Sequence, residues 1–139
     1  MKFTTRLLVA LSLLMMLGTP TIAADKVDDS VLTRAYYLMQ HGDFSGANKL
    51  LKPMVQGQSS NVIARRYFSY VLLKQGKIEE ASNQIRAISK LGANSSFDYW
   101  LYAQNYIGAG QRLTGQLCLT RAFAGFNSPM MLSFFVYAS

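Results

Sequence analysis

The stretch KQGKIEEA, Lys74 to Ala81, has two echoes in the chain. Thirty-four residues before it stands QHGDFSGA, Gln40 to Ala47, and thirty-four after it stands GAGQRLTG, Gly108 to Gly115. Gly42, Gly76 and Gly110 thus recur at one period, each followed five residues later by a small residue, Ala47, Ala81 or Gly115. A period of this size bears directly on the fold, because repeats of about 20 to 50 residues stack into arrays whose neighbours bury each other.

Placing the three glycines in register divides the chain into units 28–61, 62–95 and 96–129. Each unit reads as two helices around its glycine. In the first, Val31, Ala35 and Leu38 share one face, and Phe44, Ala47, Leu51 and Met54 share another. The second repeats the scheme with Phe68, Leu72, Ile78, Ala81, Ile85 and Ile88, and the third with Tyr99, Tyr102, Ala103, Tyr106, Leu119 and Ala122. Spacings of three and four are helical, whereas a strand would alternate. A glycine closing the first helix reverses the chain through a left-handed conformation that costs other residues a Cβ clash. The small residue five positions later marks where the second helix crosses the first most closely.

This pattern resembles the tetratricopeptide repeat. The resemblance rests on Ala35, Gly42, Phe44, Ala47 and Leu51 in unit one, and on Leu72, Gly76, Ile78, Ala81 and Ile85 in unit two. In unit three it rests on Tyr99, Ala103, Tyr106, Gly110, Leu119, Ala122 and Pro129. It implies an all-α fold: a right-handed helical-hairpin solenoid of three repeats plus a C-terminal helix. Ser69, Arg65, Arg112 and Gly115 depart from the pattern. They are expected to loosen packing without changing the period, with Arg65 and Arg112 laying their methylene stems on the core and keeping their charges in water.

The two ends read differently from the repeats. MKFTTR carries two cations, LLVALSLLMMLG is a short apolar run, and TPTIAADK breaks it with small residues, which is the layout of a signal peptide over 1–24. The run Leu7–Gly18 is shorter than the roughly 20 residues a membrane-spanning helix needs. Cleavage after Ala24 would remove Lys2 and Arg6 and lower the net charge from +7 to near +5. The expected location is then the periplasm or cell envelope of a bacterium. At the other end, residues 130–139 are expected to form an uncharged helix behind Pro129 that caps the array or makes a contact through Met131, Phe134 and Phe135.

By the resemblance, the first helices of successive units line a concave groove that holds a partner peptide or helix. The groove phases select Tyr36, Met39, Arg66, Tyr70, Lys74, Phe97, Trp100 and Gln104, with Leu32, Ile63, Leu73 and Ile107 beside them. Aromatic and arginine side chains are what binding hot spots favour. The same aromatics could equally complete the core of a small array. The expected partner is a protein with an acidic or apolar segment; self-association through the C-terminal helix and membrane contact remain alternatives, and nucleic acid is not expected, since the basic residues are scattered.

An enzyme is not expected. His41 is the sole histidine and reads as a helix C-terminal cap; no glycine-rich phosphate loop or nucleophile elbow occurs. Cys118 is the sole cysteine, so no intrachain disulfide can form. No cofactor or metal is called for. The leading reading is an exported scaffold or adaptor of the envelope; the second is a structural or membrane-peripheral subunit that uses its C-terminal helix for assembly.

Overall fold

The structure is a computed structural model and describes residues 22–56 and 59–124, with side chains from Asp29 onward. Residues 1–21, most of the expected signal peptide over 1–24, and the segment 130–139, including Met131, Phe134 and Phe135, lie outside the described residues. Within them every regular element is a helix: α1 Ile22–Gln40, α2 Phe44–Val55, α3 Val62–Lys74, α4 Ile78–Lys90, α5 Ser96–Gly108 and α6 Arg112–Ala124. They pair as the hairpins α1–α2, α3–α4 and α5–α6, and α2 packs on α3 as α4 packs on α5. The first helices of successive hairpins also touch, α1 on α3 and α3 on α5, so they share one inner face.

The three periodic glycines build one turn three times. Gly42, Gly76 and Gly110 have φ of 76°, 71° and 81°, the left-handed region. At each, the glycine N–H donates to the carbonyl three residues back, and the next N–H donates five residues back: Lys77 to Leu72 at 2.9 Å in the middle hairpin, Asp43 to Leu38 at 2.9 Å and Gln111 to Tyr106 at 2.8 Å in the others. These bonds satisfy carbonyls that a helix end otherwise leaves without partners. Gly92 closes α4 in the same way, with φ of 76°, and turns the chain toward the third hairpin.

Helix starts are fixed by side chains that the sequence carries at the right offsets. Asp43 accepts from the Gly46 N–H, and Asn61 accepts from the Ala64 N–H. Ser95 and Asp98 form a reciprocal capping box at the start of α5. No side chain caps α4, but Glu79 and Glu80 in its first turn favour the positive end of the helix dipole.

Leu51, Val71, Leu72, Ile88 and Leu101 are fully buried, and so are the small residues Ala35, Ala47, Ala64, Ala81 and Ala122, which let the backbones approach. Gly115 corrects one expectation. A Cβ placed there would stand 2.6 Å from Ile107 Cγ1 and 3.1 Å from the Ala103 carbonyl oxygen, so glycine sits where α5 and α6 come closest rather than marking a loose packing.

Arg65 corrects another. Its stem is buried as expected, but its head does not stay in water: Nε donates to the Ser59 carbonyl at 2.8 Å and Nη1 to Gln84 Oε1 at 2.6 Å. Ser69, beside it, is fully buried and returns its hydroxyl to the Arg65 carbonyl. Arg112 does remain exposed.

Candidate functional site

The inner face is organised around a row of rings. Phe44 meets Tyr70 edge-on at 6.1 Å, Tyr70 lies 5.8 Å from Trp100, and Trp100 stacks on Phe97 at 5.7 Å. Tyr36 and Tyr67 approach to 6.0 Å beside the row. Separations of this order fit tilted and offset ring pairs, whose attraction adds to that of area burial. Burial raises the Tyr70 and Tyr67 phenol pKa values above the ordinary range, and the neighbouring Tyr36 adds to the effect on Tyr67.

Above this row lies a cavity of about 570 Å³, open on one side. Tyr70, Leu73 and Lys74 of α3 form one wall and Trp100, Gln104 and Ile107 of α5 the other, while Leu119 and Phe123 of α6 close one end. Lys74 is exposed and holds its ammonium 5.7 Å from the Tyr70 ring centre, where the ring face attracts a cation.

The eight residues selected from sequence separate into three groups. Met39, Tyr70, Phe97 and Trp100 are buried, and of these Tyr70 and Trp100 line the cavity. Tyr36 and Gln104 are half-buried and Lys74 is exposed, so these three can be touched from solvent. Arg66 belongs to neither group. Its Nε and Nη2 grip the two carboxylate oxygens of Asp98, each at 2.7 Å, and Nη2 also reaches Ser95 Oγ at 3.2 Å. The guanidinium is therefore committed to the next hairpin.

Asp98 is 1 % exposed, and burial alone would push its carboxyl pKa up. Hydrogen bonds from Arg66 and Ser95 outweigh burial and hold it below the ordinary aspartate value. The bond to Asp98 likewise raises Arg66, against the opposing effect of burial.

Amide side chains also fasten the junctions. Gln75 bridges from the end of α3 to Asn48 and the Phe44 carbonyl of α2. Asn105 of α5 bridges in the same manner to Ser82 and the Ile78 carbonyl of α4. Phe44 and Ile78 stand one period apart, as do Asn48 and Ser82, so a repeated pair, a backbone carbonyl that accepts and a side chain that donates, is met by amides from different places in the next unit.

Asp98 lies outside the groove phases, although the spacing Ser95-x-x-Asp98 is a legible capping signal and its separation from Arg66 is close to one period.

His41 does what its place at a helix end predicts: Nδ1 is 2.8 Å from the Tyr37 carbonyl oxygen, and its ring lies 4.0 Å from that of Tyr37. Cys118 is half-buried, with its thiol pKa raised by burial, which Arg121 partly offsets. Among the described residues no group of three His, Cys, Asp or Glu could hold a metal ion, and no helix is long and apolar enough to cross a membrane.

α6 has an unusual outer surface. Leu113 is 80 % exposed and Leu117 71 % exposed. Their counterparts one and two periods earlier are Glu79 and Asn83, then Ser45 and Lys49, all of them polar and exposed.

Comparison with known proteins gives one match. Residues 38–105, from the end of α1 to near the end of α5, match the tetratricopeptide repeat family. No curated protein and no solved structure matches the chain. With their paired helices and the left-handed turns at Gly42 and Gly76 one period apart, residues 38–105 belong to the tetratricopeptide repeat family.

Proposed function

We propose that this protein is an exported interaction scaffold of the bacterial envelope that captures an extended peptide or helix of a partner protein on its inner face. Tetratricopeptide repeats generally bind other proteins. The observation that carries the reading is the cavity over the Tyr70–Trp100 row, with a rigid aromatic floor and an accessible rim of Lys74 and Gln104. An apolar partner side chain would enter the cavity, while a carboxylate near it would meet Lys74. Rings already held in place lose little conformational entropy on binding, which lowers the ordering cost that association carries. The chain's positive charge favours an acidic partner segment without selecting one. Export rests on the amino-terminal pattern of cations, apolar run and small residues.

The test is capture from an envelope fraction with the mature protein as bait, beside Lys74→Glu combined with Gln104→Glu. Both positions are accessible, so helicity and thermal midpoint should be unchanged while capture of the specific partner is lost. Equal recovery by the two baits would sink the groove reading.

A second reading, a structural or membrane-peripheral subunit, draws on the exposed leucines of α6. Leu113→Ser with Leu117→Ser would then abolish self-association or vesicle binding and leave groove capture intact.

A further inference from the structure

A second cavity lies on the other side of α5 from the groove. Tyr102 and Tyr106 stand two residues beyond Trp100 and Gln104, which is roughly 200° around a helix. Together with Arg86 and Ser89 of α4 they wall a cavity of about 280 Å³ between the two helices. Asn105, the buried polar residue of the lining, is already engaged: its Oδ1 accepts from Ser82 Oγ at 2.9 Å, and its Nδ2 donates to the Ile78 carbonyl at 3.0 Å. The walls are different. Among the described residues, the Arg86 guanidinium and the hydroxyls of Ser89, Tyr102 and Tyr106 have no hydrogen-bond or ion-pair partner, and no carboxylate lines the cavity. Spacings of three on α4 and four on α5 point these groups into one space from two helices. The cavity thus offers donors and a positive charge with nothing negative to meet them.

We propose that this cavity binds a phosphate monoester, with Arg86 gripping the phosphate and the Tyr102 and Tyr106 rings lying beside the group that carries it. The guanidinium fork matches two oxygens of such an anion at once. A carboxylate accepts mainly in its own plane. The three terminal oxygens of a phosphate monoester instead form a tripod, which can meet Ser89 on one wall and the tyrosine hydroxyls on the other. A second charge on the ligand is also answered: Lys90, exposed, stands one turn beyond Arg86 on the same helix and adds to the positive potential there. The cavity is larger than a phosphate alone fills, so the ligand carries an organic group. Two sources present this chemistry, a free phosphorylated small molecule and the monoester headgroup of phosphatidate at a membrane surface. Neither depends on the groove reading, because the groove residues of α5 lie on its opposite side.

The test titrates the full chain with glycerol 3-phosphate, and with acetate at equal ionic strength, by calorimetry and by the NMR signals of the Asn105 side-chain amide. A parallel arm measures co-sedimentation with phosphatidylcholine vesicles that do or do not contain phosphatidate. Glycerol 3-phosphate should bind about tenfold more tightly than acetate. Arg86→Gln should weaken it about tenfold and Tyr106→Phe about threefold, since bonds to a charged acceptor are the strong ones. Lys49→Gln, an equal loss of charge at an exposed site on α2, should leave the affinity unchanged. Phosphatidate-dependent sedimentation that Arg86→Gln removes assigns the lipid source, and binding of glycerol 3-phosphate alone assigns the free molecule. No Arg86-dependent binding of either probe, an affinity for acetate equal to that for glycerol 3-phosphate, or equal losses from Arg86→Gln and Lys49→Gln would each overturn the proposal.

Discussion

Ile85 in α4 and Leu119 in α6 occupy the same position of their hairpins, yet Ile85 is sealed by α5 and Leu119 faces the cavity. The outer faces differ as well: Glu79 and Asn83 meet water from α4, and Leu113 and Leu117 do so from α6. A repeat position therefore has no fixed energetic worth. What it contributes depends on whether another unit follows, which is why an array is stabilised by its junctions as much as by its units.

The largest effect should come from truncating a sealed position. Leu72→Ala or Leu101→Ala empties a fully buried site and should cost about 3 kcal/mol in denaturant unfolding. Leu117→Ala, the same change on the open face of α6, should stay within about 0.5 kcal/mol. Similar losses at all three positions would break the contrast between middle and end.

The junction comes next. Arg66→Ala leaves the Asp98 carboxylate buried with only Ser95 to serve it and should cost about 2 to 3 kcal/mol. A double-mutant cycle with Asp98→Ala should show coupling of at least about 1 kcal/mol. The pair also sets an acid limit. Because the folded pKa of Asp98 is depressed, its contribution is complete above the unfolded aspartate value of about 3.9 and declines as pH falls through the lower folded value. Acid titration of Asp98→Asn should lack that part of the stability loss below about pH 4.

A smaller effect separates the hairpin crossings. Gly115→Ala should cost about 1 to 2 kcal/mol, since Ile107 and the Ala103 carbonyl must give way. Gly76→Ala should cost a similar amount for another reason: space is open there, but φ is 71°. A crystal structure of Gly115→Ala should show α6 displaced from α5, while Gly76→Ala should leave the helix spacing unchanged.

Much of the fold could be read from the chain because the turn glycines and small crossing residues are local requirements of backbone geometry. Gly42, Gly76 and Gly110 announce themselves by period alone. The groove was legible only as a set of phases. Periodicity places Met39, Tyr70, Lys74 and Trp100 on inner helices but cannot tell floor from rim, because depth depends on how neighbouring helices tilt together. Arg66 looked like a groove cation because its partner sits on another unit. The burial of Arg65's head was hidden for a related reason: one acceptor is the Ser59 carbonyl, a backbone atom in a connecting loop that leaves no mark in side-chain identity, and the other, Gln84, sits on another helix.

Native-state hydrogen exchange on the full chain, with and without Arg66→Ala, tests most directly whether the hairpins hold one another across their junctions. The account predicts that the amides of Leu72 in α3 and Leu101 in α5 exchange with one shared opening free energy in the wild type. In Arg66→Ala the Leu101 amide should open at lower free energy while Leu72 keeps the greater protection. If Leu72 and Leu101 open independently in the wild type, or Arg66→Ala leaves their difference unchanged, the hairpins do not stabilise each other as described.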